Sequence, residues 1–175
     1  GPRPVTKVSA EDFGALRAAI GNEPVIVGVG CSDMPMRETV YAQLEDARCY
    51  LTRLVRADED HAYVNEGSAV FPGTVLGFGV CLGRNVVVYS NSVIEHGSTV
   101  GDHAWLSPSV TLCGNVRIGV SAFLGAGSIV LPGVTIGDGA RIGAGAMIHK
   151  DVPDGVTVYG PRHPHPWELP DQRVG

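Results

Sequence analysis

Charged side chains are scarce in this 175-residue chain, at 18%, and aromatic ones scarcer, at 6%. No stretch approaches the ~18 consecutive apolar residues of a membrane-spanning helix, and nothing at the N-terminus has the layout of a signal peptide. A cytoplasmic location is the default, with no membrane partner. The formal net charge of −5 argues against nucleic acid or an acidic membrane as a partner. Cys31, Cys49, Cys81 and Cys113 are scattered without a C-x-x-C spacing, so neither a disulfide framework nor a zinc site is indicated. Low charge also suggests that part of the surface is buried in an oligomer. What the chain has in quantity is glycine, 24 residues, beside a hydrophobic content of 44%. That combination fits a β protein dense in turns.

From Val70 to Ile148 every sixth residue is a branched aliphatic: Val70, Leu76, Leu82, Val88, Ile94 and so on, fourteen in a row. Two residues before each, from Thr74 to Ala146, only Thr, Val, Ser or Ala occurs. Glycine often follows the aliphatic directly, as at Gly77, Gly101 and Gly125, where the chain is expected to turn. A helix needs a period of 3.6 and a half-exposed strand a period of 2. A period of six describes a short strand plus a corner, the hexapeptide signature of a parallel β-helix. Three strands close one triangular coil of about 18 residues, and coils stack at ~4.8 Å. The aliphatic column fills the axis, and the small column lets three faces meet without a void.

Three parts are expected: a partial α/β unit over residues 1–68, a Rossmann-like remnant; the β-helix over 69–150; and a C-terminal strand with a proline-rich tail over 151–175. Gly1-Pro2 reads as the remnant of a removed tag. Ser9 caps a first helix through Ile20, and Pro24 to Gly28 reads as a buried strand. Met36 to Ala47 reads as a second helix, with Met36, Val40, Leu44 and Ala47 on one face and Ser32 or Asp33 as N-cap. Cys49 to Val55 reads as a strand. Gly28-Val29-Gly30 is a tight turn rather than a nucleotide site, since no G-x-G-x-x-G completes it. Lys150 to Gly155 breaks the six-residue register, and Val156 to Tyr159 adds a last strand. The prolines beyond Gly160 exclude a regular helix there.

Most outward positions of the repeat are bland, so Glu95, His96, Asp102, His103 and Trp105 stand out. His96 falls at a corner and points away from the core. Eighteen residues on, one coil along the same edge, lies Gly114. A histidine beside a bare backbone amide suits acyl transfer: the imidazole takes a proton from the nucleophile, and the amide donates to the thioester oxygen as charge develops there. Glu95 or another nearby carboxylate is expected to hold the imidazole in the useful tautomer.

The segments Ser92-Val93-Ile94-Glu95-His96, Gly101-Asp102, Cys113-Gly114-Asn115, Phe123-Leu124-Gly125-Ala126 and Lys150-Asp151-Val152-Pro153 resemble the hexapeptide-repeat acyltransferases. The branch is that of bacterial sialic-acid O-acetyltransferases and nucleotide-amino-sugar N-acetyltransferases, and the likeness spans roughly Glu23 to Gly160. The resemblance implies a left-handed coil, a homotrimer, acetyl-CoA in the groove between prisms, a (nucleotide-)amino sugar as acceptor and His96 as general base. It also implies backbone contacts to the cofactor at Gly114, Ala126 and Ala144. By the 18-residue count Ala126 and Ala144 share one edge and Gly114 another, as expected if two subunits line the groove.

Three departures matter. Gly97 stands where relatives often carry an acidic residue. Trp105 replaces a second histidine nine positions after the first, and reads as a trimer-interface or substrate contact. The first strand, glycine-rich turn and helix of relatives are missing; either a longer natural chain precedes Arg3 or the acceptor differs. Two other classes compete. A γ-carbonic-anhydrase-like metalloenzyme needs three zinc ligands, but the positions one and two coils beyond His96 are Gly114 and Pro132. A non-catalytic β-helix scaffold needs no site at all.

Overall fold

The six-residue period is built as a three-sided parallel β-helix. A computed structural model describes residues 27, 33–46, 54–55 and 61–160. The expected first helix, the strand at Pro24 to Gly28 save for a buried Val27, the glycine turn after it, and the tail with His163 and His165 lie outside the described residues.

One face stacks Val75–Leu76, Val93–Ile94, Thr111–Leu112, Ile129–Val130 and Met147–Ile148. A second stacks Tyr63–Val64, Cys81–Leu82, Thr99–Val100, Arg117–Ile118 and Thr135–Ile136. The third runs from Leu54–Val55 through Ala69–Val70, Val87–Val88, Trp105–Leu106, Phe123–Leu124 and Arg141–Ile142 to Thr157–Val158. Partners in the first face stand eighteen residues apart, as in Val93 with Thr111 and Thr111 with Ile129. The class is mainly β, and the six-residue repeat fits the left-handed β-helix. At the C-terminal end the coil shortens: Arg141 pairs with Thr157 and Ile136 bridges to Val152. This is the register break at Lys150 to Gly155. At the other end Leu54 pairs with Ala69, so the ladder takes in part of the segment expected as a separate unit.

Burial follows the two columns. Of the aliphatics from Val70 to Ile148, all but the half-buried Leu76 are buried, and so is every small residue from Thr74 to Ala146. The serines of the small column close their own hydroxyls: Ser98 Oγ donates to Cys113 O at 3.0 Å and accepts from Val116 N at 3.2 Å. Ser128 Oγ is the exception, fully buried without a partner.

The corners correct one expectation. The residue in the left-handed region comes three positions after the last strand residue: Gly79 at φ 71, Asn85 at φ 54, Gly97 at φ 67, His103 at φ 64 and Asn115 at φ 59. Glycine directly after the aliphatic answers to close stacking instead. A Cβ on Gly125 would lie 2.5 Å from the amide nitrogen of Ala144 in the next coil, closer than any stable contact.

Helix α1, Met34–Asp46, lies against the third face. Asp33 caps it, its Oδ1 accepting from Met36 N at 2.9 Å. Of the expected inward face of Met36, Val40 and Leu44, only Leu44 is fully buried. Met34, Arg37, Tyr41 and Leu44 are buried, whereas Met36 is exposed. The prism surface below explains this. It offers Asn85 and Trp105, so a long cation and a phenol ring suit it better than aliphatics. Arg37 Nη2 donates to Asn85 O at 2.6 Å and to Asn85 Oδ1 at 2.8 Å, and its guanidinium lies 5.2 Å from the Trp105 ring. Tyr41 meets His103 edge-on at 5.4 Å, and Ser121 donates to Glu38.

Candidate active site

Each corner has an apex, the second residue after the aliphatic. On the edge following the first face the apices are Phe78, His96, Gly114 and Pro132. His96 is tied through its main chain: Asn115 N donates to His96 O at 2.9 Å, and the next residue, Gly97, donates to Phe78 O at 3.0 Å. Its side chain keeps 64% of its exposure, so the ring stands outward from a rigid base. The imidazole lies directly on Gly114. An added Cβ there would sit 2.7 Å from His96 Nε2 and 2.8 Å from Cε1, so only glycine lets the two stack. Glu95 Oε2 is 3.8 Å from His96 Nδ1, at ion-pair range and just beyond a hydrogen bond.

The apex amides divide the edges into two kinds. On the edge after the second face three of them are capped by an aspartate on the next coil. Arg84 N donates to Asp102 at 2.8 Å, Val120 N to Asp138 at 2.7 Å and Asp138 N to Asp154 at 2.9 Å. The amides of Gly114, Ala126 and Ala144 have no acceptor among the described residues. Ala126 and Ala144 are exposed, while Gly114 is buried under the His96 ring. Ala126 and Ala144 share the edge after the third face, where Gly145 N donates to Ala126 O at 2.9 Å. The three expected cofactor positions are thus uncapped donors, two on one edge and one on another.

The remaining singled-out residues belong to other work. Asp102 caps the Arg84 amide and takes both Arg84 Nε and Nη2 at 3.0 Å, on a different edge from His96. His103 is held by Asn85, whose Nδ2 lies 2.9 Å from His103 Nδ1. Arg37 claims Asn85 Oδ1, so the Asn85 amide group donates and His103 Nδ1 accepts. Burial, opposed by Glu38 and Asp102 and reinforced by Arg37 and Arg84, pushes the His103 pKa below its ordinary 6.5. Trp105 is only 6% exposed, packed with Met34 and Val87 beneath α1. The chain's own helix covers it. No three His, Cys, Asp or Glu side chains among the described residues are grouped to hold a metal ion.

The bacterial transferase hexapeptide model (six repeats) matches residues 121–150. PerB from Caulobacter crescentus, solved with CoA and GDP-perosamine, superposes with a TM-score of 0.80 at 29% identity over 86% of this chain and 73% of that one. The chain resembles the hexapeptide-repeat acyltransferases. The acetyltransferase domain of PglB from Neisseria gonorrhoeae FA1090, in complex with acetyl coenzyme A, superposes on this hexapeptide fold with a TM-score of 0.77 at 28% identity, over 83% and 73% of the two chains. A GDP-perosamine N-acetyltransferase from Caulobacter crescentus, solved as a histidine-to-alanine variant with CoA and GDP-perosamine, matches at 28% identity and a TM-score of 0.80, over 86% and 72%. No curated protein matches the sequence.

Sequence reasoning missed the clamp of Arg37 and Asn85 and the pattern of capped and uncapped amides. The second had a signal: an aspartate recurs at the apex of one edge, at Asp102, Asp138 and Asp154, and is missing from the other two.

Proposed function

We propose that this chain is an acetyl-CoA-dependent acetyltransferase acting on an amine or hydroxyl of a sugar or sugar-like acceptor, a nucleotide-linked amino sugar foremost. The observation that carries it is the His96 imidazole seated on Gly114, whose amide has no acceptor among the described residues. The neighbours solved with CoA, acetyl-CoA and GDP-perosamine support it.

The chemistry follows from the geometry. His96 Nε2 takes the proton from the acceptor N–H or O–H as that atom attacks the thioester carbonyl. The carbonyl oxygen becomes an oxyanion, and the Gly114 N–H beside the ring donates to it. Collapse expels the CoA thiolate, which recovers the proton from His96, giving acetylated acceptor and free CoA thiol. Glu95 steadies the imidazolium through Nδ1–H. The Ala126 and Ala144 amides lie on another edge of the same prism, so one cofactor reaches both sets only when a second copy brings its own edge alongside. This supports a homotrimer with acetyl-CoA in the groove between prisms.

The test is thiol release from acetyl-CoA against a panel of free and nucleotide-linked amino sugars, with the melting temperature measured beside CoA. A ligand of the folded state raises it, by about 2.7 kcal/mol of stability at a hundredfold excess over Kd. Turnover with a CoA-dependent shift is expected. Neither turnover nor a shift would favour the scaffold reading.

A further inference from the structure

The edge that carries His96 and Gly114 begins, on its N-terminal side, with a cleft of about 320 Å³ lined by His61, Ala62, Tyr63, Phe78 and Gly79. Phe78 holds the apex one coil before His96, and His61 lies one coil before Gly79, whose amide donates to His61 O at 2.8 Å. Phe78 is 74% exposed and Tyr63 70%. The rings of His61 and Phe78 stand 5.6 Å apart at 48°. Large rings left in water beside a candidate active site call for a ligand.

Size and distance say which part of a ligand fits. Small-molecule sites run from ~300 to 1,000 Å³, so this cleft sits at the low end, enough for one sugar ring but not for a whole nucleotide sugar. Coils are spaced at ~4.8 Å, so a ring lying on Phe78 carries its substituents one coil from His96. Only the ring that bears the attacked group needs to be that close. A pyranose presents an apolar C–H face to an aromatic ring and hydroxyls at its rim, where His61 offers a polar partner.

We infer that Phe78 and Tyr63 form the platform for the pyranose ring of the acceptor, with His96 between it and the thioester on Gly114. The acyl donor then lies on the C-terminal side of His96 and the acceptor on its N-terminal side. The inference rests on the acetyltransferase reading, but its first test does not require turnover.

Saturation-transfer NMR with GDP-perosamine and with free glucosamine, irradiating aromatic protons, is expected to label the pyranose protons with the wild-type chain and to lose that label in Phe78→Ala. No label on either sugar, or one unchanged in Phe78→Ala, overturns the platform whatever the reaction. In the kinetic assay Phe78→Ala is expected to raise the acceptor KM roughly three- to tenfold, the size of an aromatic stacking contact. The acetyl-CoA KM and melting temperature stay put, and Phe78→Trp retains the acceptor KM. A change confined to the acetyl-CoA KM, or dissociation of the assembly, assigns Phe78 to the cofactor or to a subunit contact and overturns the inference. Labelled sugar without any acetyl transfer leaves the platform standing and removes the reaction reading alone.

Discussion

Replacing Gly114 by alanine separates the site from the fold. The new Cβ would lie 2.7 Å from His96 Nε2 and 2.8 Å from Cε1. Ordinary contact begins near 3.4 Å, so the ring must retreat by about 0.7 Å, and the methyl crowds the space above the amide. Gly114 does not occupy the left-handed region, and what it meets is the far end of an exposed side chain. The chain therefore folds as before; less backbone freedom when unfolded contributes up to about 1 kcal/mol in favour of the variant. Catalysis is less forgiving, because a misplacement of ~1 Å at reacting groups costs on the order of 10²-fold. The expected result is a melting temperature unchanged or slightly raised and a kcat/KM lower by about 10². Full activity in a folded Gly114→Ala protein would refute the stacking of base and amide donor. A large loss of stability would show that Gly114 is there for packing.

Three more expectations concern the scaffold. Ser128→Ala removes a buried hydroxyl without a partner and should be neutral or stabilising by up to about 1 kcal/mol in urea denaturation, unlike Ser98→Ala, which strips two hydrogen bonds and should cost about 1 to 2 kcal/mol. Arg37→Met leaves two oxygens of the fully buried Asn85 without their charged donor and should cost about 2 to 3 kcal/mol. Hydrogen exchange would place the loss in α1 before the prism. The His103 pKa is depressed in the folded chain, so the unfolded state binds more protons at acid pH. The stability this contributes is present above about pH 6.5 and lost as pH falls through the folded value. Protonated Nδ1 would meet the Asn85 amide donor head-on, and Asn85 cannot flip while Arg37 holds Oδ1; Tyr41, Glu38, Asp102 and Arg84 complete the surroundings. Loosening of α1 below pH 6.5, abolished in His103→Gln, is the expected exchange pattern.

The prism was legible because its axis admits so few side chains. A column that must fill a triangular core repeats at the period of the coil, and the same count of eighteen sets His96 over Gly114. The helix was misread for the opposite reason. Hydrophobic spacing looks for an apolar partner, whereas the surface under α1 is Asn85, His103 and Trp105, so Arg37 and Tyr41 turn inward. Asp102 looked chemical because a carboxylate is rare in the repeat, yet its task is to cap the amide of Arg84. Phe78 is legible only by counting, since eighteen back from His96 lands on it. The glycines after the aliphatics suggest turns in sequence, but their reason is the near contact between coils, which no single repeat contains.

The central claim is that His96 on Gly114 is the base of an acyl transfer. The most direct test is the single-turnover rate of acetyl transfer at saturating acetyl-CoA and acceptor, for wild type and His96→Ala, with oligomeric state checked on the same samples. A rate lower by 10² or more, the size of a general-base contribution, in an assembly that is otherwise unchanged is the predicted result. A His96→Ala protein that transfers acetyl groups at the wild-type rate would contradict it.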